Sequence, residues 1–263
     1  MTLGAVAVLL AGGCSAGPTM TETPATSGQT GTSMAPQHRT PTPRAPGTAR
    51  GTKAPASGAV TAAVRADAVG VVRVVGVALA CSVEQQGSGF MISPEHVVTN
   101  AHVVQGLRGT SVQIGGVGRH YRARVVLFDP GVDLAVLDAP GLPARPLTVA
   151  TVDPAQGDAV VAAGFPLNGP FTLSAGRVLA VGTHSGPPVG SAPAQPRLVE
   201  ELSTRVKPGN SGGPLLEPDG KVAGVVFARA SRASAGFAIA PSAVLPVVQG
   251  ALTATGTVST GHC

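Results

Sequence analysis

Three residues far apart in this 263-residue chain have the types needed for joint chemistry: a serine, a histidine and an aspartate. Ser211 lies in Lys207-Pro208-Gly209-Asn210-Ser211-Gly212-Gly213-Pro214, between two apolar segments. The glycines permit backbone conformations and close approaches that a Cβ blocks, and the prolines fix φ where extended structure stops and restarts. Such a loop holds one hydroxyl at its tip and turns several backbone N–H groups toward one point. Acyl transfer needs both: a nucleophile, and donors aimed at the oxyanion formed when it attacks a carbonyl. Alone, the octet reads equally well as a Gly-rich hairpin turn. Its upstream partners decide the matter. His102 lies in Thr99-Asn100-Ala101-His102-Val103-Val104, and Asp133 opens Asp133-Leu134-Ala135-Val136-Leu137. A serine hydroxyl is a poor nucleophile at neutral pH, so an imidazole that takes its proton and a carboxylate that orients the imidazole complete the set.

In the chain order His, Asp, Ser these motifs resemble the trypsin/chymotrypsin-like serine protease superfamily and differ from the subtilisin and α/β-hydrolase orders. Their local wording is most similar to bacterial HtrA/Deg-type proteases and to the MarP-like acid-resistance proteases of mycobacteria and relatives. The resemblance covers roughly residues 65–263, with further echoes in Gly87-Ser88-Gly89-Phe90, Asp129-Pro130, Gly164-Phe165-Pro166 and Gly236-Phe237-Ala238-Ile239. It implies a serine endopeptidase acting on proteins or peptides through an acyl-enzyme, with no metal and no organic cofactor. His102 would be base and then acid, Asp133 would orient it, and the N–H groups of Gly209 and Ser211 would form the oxyanion hole. His96 and Asp138 are the rival side chains. His96 opens a strand instead of following Asn100-Ala101, and Asp138 runs out of one into Ala139-Pro140.

The superfamily's layout puts the primary substrate pocket at Thr204, Arg205, Val226, Phe227 and Ala228. A buried unpaired arginine is costly, so Arg205 is expected to point outward and leave a small apolar pocket. Digestive members carry an aspartate before the nucleophile that pairs with a freshly cleaved N-terminus. Asn210 cannot form that ion pair, so activity is expected without such cleavage. Two other functions fit the same residues: a catalytically silent binding or sensor protein on a protease fold, and an esterase.

The elements that must position these groups are strands. Gly 36 and Pro 24 are high, aromatics are 3% and Trp is absent. Val-rich segments broken by glycine and proline predict many short strands. The first set covers Val71 to Ala80, Gly87 to Ile92, His96 to Val104, Ser111 to Ile114, Tyr121 to Phe128 and Asp133 to Leu137. After a Pro-rich connection at 140–146, a second set runs from Asp158 to Ala240. The expected fold is all-β: two six-stranded Greek-key barrels packed together in the chymotrypsin-like manner, the first at about 65–140 and the second at about 147–252. His102 and Asp133 would come from the first barrel and Ser211 from the second. Only Pro241 to Leu252 reads as a helix, with Ser242 as its N-cap.

Residues 1–14 carry an apolar run at 3–13, too short to span a bilayer, and end at Cys14. They resemble the export signal and lipobox of a bacterial lipoprotein, although no Lys or Arg precedes the apolar run and Ala11 stands where leucine is usual. Residues 15–60, rich in Thr, Ser, Pro, Gly and Ala, are expected to be a disordered linker to the protease domain at 61–263. The protein is then exported, held by a lipid on Cys14 at the outer membrane face or cell wall, or secreted. Arg39, Arg44, Arg50 and Lys53 against Glu22 place +3 of the net +5 charge in that linker, which argues against a nucleic-acid partner. With Cys14 lipidated, Cys81 and Cys263 remain to form a disulfide, as MarP-like proteases carry one in this domain. No room is expected for the C-terminal PDZ module of HtrA proteins.

Overall fold

The structure, a computed structural model, describes residues 64–66, 68–78, 82–186, 188–193, 195–204, 206–229, 236–254 and 256–262. The predicted export signal with Cys14, the linker at 15–60, and Cys81, Arg205 and Cys263 lie outside the described residues.

Seven strands come from the first half: β1 (Val71–Ala78), β2 (Val83–Met91), β3 (His96–Thr99), β4 (Arg108–Ile114), β5 (Tyr121–Arg122), β6 (Arg124–Asp129) and β7 (Leu134–Asp138). They pair antiparallel in the order β5-β4-β1-β2-β3-β7-β6. Six follow: β8 (Ala159–Gly164), β9 (Thr172–Ser185), β10 (Pro196–Leu202), β11 (Pro214–Leu216), β12 (Val222–Arg229) and β13 (Gly236–Ile239). These close into the barrel β10-β13-β12-β11-β8-β9.

The second half therefore has its expected six-stranded barrel. The first half is instead an open sheet of seven strands. The run from Tyr121 to Phe128 breaks at Ala123, whose N–H donates to Thr110 O at 2.9 Å, and its two parts join opposite edges, β5 on β4 and β6 on β7. Residues 257–261 line the seam between β4 and β6, where Val258 N–H donates to Val125 O at 2.9 Å.

Alternation along the strands sorts apolar side chains between cores. Val72, Val74, Met91, Val97, Val112 and Leu137 fill the inside of the first sheet, and Val160, Ala162, Leu202, Leu215 and Val226 the second barrel. Their neighbours Val71, Phe90, Val98 and Val136 pack with Val161, Val225 and Ile239 in a third core joining the two halves. That shared core fixes the relation between the element bearing His102 and the loop bearing Ser211.

Two expectations about helices change. The segment from His96 to Val104 is strand only to Thr99; Asn100 then caps a one-turn helix, α1 (Ala101–Val104). Buried Asn100 donates through Nδ2 to Asp133 O at 2.8 Å, which draws the chain out of the sheet. The C-terminal helix α2 (Pro241–Ala251) is capped by Ala240, not Ser242. Proline at the first helical position sets that start. Ser242 lies inside the first turn, and its N–H donates to Asp153 Oδ1 at 2.8 Å.

Candidate active site

His102 stands on α1, and Asp133 follows the tight turn after β6. In that turn Asp129 Oδ1 accepts from the N–H groups of Gly131 and Val132, at 3.0 and 3.3 Å. Asp133 itself takes φ +60, a conformation a non-glycine residue adopts only where its surroundings hold it. What holds it is visible: Asn100 binds its carbonyl, and its carboxylate accepts from His102 N–H (3.0 Å) and His102 Nδ1 (2.9 Å). A carboxylate only accepts, so Nδ1 carries the proton and Nε2 presents its lone pair on the other side of the ring. The Asp133 side chain is 4% exposed and that of His102 38%. The rivals are engaged elsewhere. Asp138 pairs with Arg124 at 2.6 Å, and His96 Nδ1 lies 2.8 Å from Ser93 Oγ.

The Ser211 loop is held by its own backbone. Asn210 N–H donates to Lys207 O and Gly213 N–H to Asn210 O, each at 3.0 Å, and Gly212 N–H to Val226 O at 2.8 Å. Gly209 and Gly212 take φ +94 and +84, and added Cβ atoms there would overlap Phe165 O and Ser88 O respectively. Among the described residues, the N–H groups of Gly209 and Ser211 find no acceptor.

His102, Gly209 and Ser211 line one cavity of about 370 Å³, together with Glu84, Gln85, Gln86, Leu167, Asn168 and Pro208. Ser211 Oγ donates to Phe227 O at 3.4 Å, and among the described residues no hydrogen bond joins it to His102. The expected substrate-pocket residues Thr204, Val226 and Phe227 do not line this cavity, although the Phe227 carbonyl borders it through Ser211 Oγ. Thr204 is buried with Oγ1 donating to Ser174 O at 3.1 Å, and Val226 and Phe227 are buried in core clusters. Ala228 sits on β12 with its side chain outside the described residues, as is Arg205. The cavity's wall of Glu84, Gln85 and Gln86 from β2, and of Leu167 and Asn168, was not anticipated; nothing in their spacing marks them.

Two ionisable side chains of β10, Arg197 and Glu200, are buried. Arg197 lies 4.8 Å over the Phe227 ring, with Nε and Nη2 unpartnered. Burial lowers its pKa, while the fields of Asp133 and Asp129 oppose that shift. Glu200, fully buried with both carboxylate oxygens unpartnered, is pushed up to about 9 by burial and by Asp153 and Glu217.

Residues 87–225 match the family model of the trypsin-like peptidase domain. The serine protease Rv3671c of Mycobacterium tuberculosis is 38% identical over 195 residues, which are 73% of this chain and 48% of that protein. A DegP-like serine endoprotease of Chlamydia muridarum, named as periplasmic, is 35% identical over 189 residues, 67% of this chain and 35% of that one. The chain thus spans about half the length, or less, of these curated relatives. The crystal structure of the active form of the M. tuberculosis Rv3671c protease superposes with TM-score 0.74 at 36% identity, covering 80% of this chain and 93% of that one. The serine endoprotease of Yersinia pestis superposes with TM-score 0.62 at 27% identity, covering 76% and 68%.

Proposed function

This chain belongs to the trypsin-like peptidase family, and from that premise we propose that it is a serine endopeptidase with Ser211 as nucleophile. The observation that carries the reading is the fixed His102 ring: Nδ1 bound to buried Asp133, Nε2 free, and Ser211 lining the same cavity. Catalysis requires the hydroxyl to leave Phe227 O for Nε2; such bonds are commonly unmade without substrate and tighten in the reacting complex. Ser211 Oγ then attacks the scissile carbonyl carbon while its proton passes to Nε2, and Asp133 stabilises the imidazolium. The negative oxygen of the tetrahedral species accepts from Gly209 and Ser211 N–H, which have no acceptor among the described residues. Collapse breaks the C–N bond as His102 protonates the leaving amine. Water, deprotonated by His102, releases the acyl group by the same steps.

A small apolar primary pocket at Thr204, Val226 and Phe227 rests on the superfamily's layout and on the nearness of Phe227 O to Ser211 Oγ. Export follows from the apolar segment ending at Cys14 and agrees with the periplasmic relative. Lipidation of Cys14 and a Cys81–Cys263 disulfide complete the proposal, the bond adding up to ~5 kcal/mol by the loop-entropy relation. The Ser211–Phe227 contact favours one second reading, a silent protease-fold binding protein. A peptide-library digest with wild type and Ser211→Ala separates the two. Cleavage by wild type alone is expected; equal cleavage by both, or by neither, removes the proteolytic assignment.

A further inference from the structure

Ser88 makes four hydrogen bonds, although it is fully buried and lies on β2, outside the nucleophile loop. Its N–H donates to Ser211 O at 2.8 Å, and its hydroxyl donates to Gly209 O at 2.7 Å. The same Oγ accepts from Phe165 N–H at 3.0 Å, and its carbonyl accepts from Thr99 Oγ1 at 2.7 Å. Every polar atom of this serine is therefore used, and the four bonds join β2 to three segments: the nucleophile loop, the end of β3 and the residue after β8.

The carbonyls of the loop show what that arrangement does. Leu167 N–H holds Pro208 O at 2.7 Å, and Gly213 N–H holds Asn210 O at 3.0 Å. In a trans peptide C=O and N–H point in opposite directions, so these two bonds turn the N–H groups of Gly209 and Ser211 the other way. The intervening carbonyls, Gly209 O and Ser211 O, are both held by Ser88. Gly209 has no side chain to resist rotation, and its φ of +94 lies in a region where glycine moves easily. Its ψ is fixed by the two bonds on the Gly209–Asn210 peptide: the Ser88 hydroxyl on Gly209 O, and Asn210 N–H on Lys207 O at 3.0 Å.

We propose that Ser88 is a positioning residue for catalysis, holding the Gly209–Asn210 peptide so that the two free N–H groups stay aimed at one point. This rests on the proteolytic reading above. Ser88 does not touch the reacting atoms. Its hydroxyl acts through Gly209, and through Phe165 it ties the loop to the end of β8.

The test is steady-state peptide hydrolysis by wild type, Ser88→Ala, Ser88→Cys and Ser211→Ala, with inhibition by a peptidyl boronic acid, whose tetrahedral adduct requires the oxyanion donors. Ser88→Ala should lower kcat about 10- to 100-fold, short of the roughly 10²- to 10³-fold cost of removing an oxyanion donor outright, with KM changed less than about twofold. The boronate inhibition constant should rise by a similar factor. A purely structural role would reduce the amount of folded enzyme without weakening the boronate. A folded Ser88→Ala enzyme with wild-type kcat and boronate affinity overturns the proposal, as does a loss carried entirely by KM. If Ser88→Ala fails to fold, Ser88→Cys carries the test, since a thiol of similar size is a weak donor. It should lose several-fold in kcat, and wild-type kcat there overturns the proposal. If wild type is as inactive as Ser211→Ala, the proteolytic reading has failed and this inference falls with it.

Discussion

His102 donates twice to one carboxylate: its backbone N–H reaches Asp133 Oδ1 at 3.0 Å and its Nδ1 reaches Oδ2 at 2.9 Å. The first bond fixes the carboxylate to the start of α1, so the second can hold only one ring orientation. Asp133→Asn keeps the shape and offers an NH2 group where an acceptor stood, which favours the wrong imidazole tautomer. A fall in kcat of about 10⁴ with little change in KM is expected for such a loss. Steady-state kinetics on a cleaved peptide measure it; a fall below tenfold would mean that this pair does not set the tautomer.

Gly212 lies at φ +84, and a Cβ there would overlap Ser88 O and Thr99 Oγ1. Gly212→Ala must strain the backbone and displace the carbonyl that Thr99 binds. A loss of about 2 kcal/mol or more in stability is expected, together with most of the activity. Urea unfolding and peptide hydrolysis check both; a variant as stable and active as wild type contradicts the packing described.

Glu200 gives the fold a pH dependence whose sign is fixed. Its folded-state pKa of about 9 lies above the ordinary 4.5, because burial opposes its charge and Asp153 and Glu217 repel it. Between those values the unfolded chain releases this proton while the folded protein keeps it, so stability falls as pH rises through the window. At about 1.4 kcal/mol per pH unit, the cost reaches roughly 3 kcal/mol by neutral pH. Glu200→Gln removes the carboxyl and should raise Tm over wild type by an amount that grows from pH 5 to pH 8. A Tm difference that stays constant over that range contradicts a buried neutral Glu200.

Asp153 supplies the side-chain acceptor at the start of α2, to Ser242 N–H at 2.8 Å. Asp153→Ala should cost about 1 kcal/mol, as loss of an N-terminal cap does, and leave kcat unchanged. Asp153→Asn retains an acceptor and should recover most of the loss in thermal unfolding; equal loss in both variants would show that the cap is not the cause.

What the sequence disclosed and what it hid divide along physical lines. The meeting of His102 with Asp133, and the presence of His102 and Ser211 on one cavity, was legible because the chemistry admits few residue types and the chain order is distinctive. The strand-rich fold was legible in the Val-Gly-Pro texture. The break at Ala123 was not, since no turn residue marks it and the run from Tyr121 to Phe128 is continuously apolar apart from its arginines. The start of α1 was hidden because Val103 and Val104 continue a strand-like pattern, while the bond drawing Asn100 away runs to a residue 33 positions later. Ser88 read only as one residue of the strand from Gly87 to Ile92, because sequence does not distinguish an exposed serine from one with every polar atom bonded. Glu200 was missed for the opposite reason, since a carboxyl with no partner inside a barrel contradicts the pattern by which strand faces are assigned.

The central claim is that Ser211 is a nucleophile whose reactivity depends on His102. A fluorophosphonate probe followed by peptide mass spectrometry tests it most directly, because the adduct records which atom reacted. The account predicts a single adduct on Ser211 in the wild-type protein and its loss in His102→Ala, with the variant still folded. An adduct on another residue, or equal labelling of Ser211 without the imidazole, would contradict it.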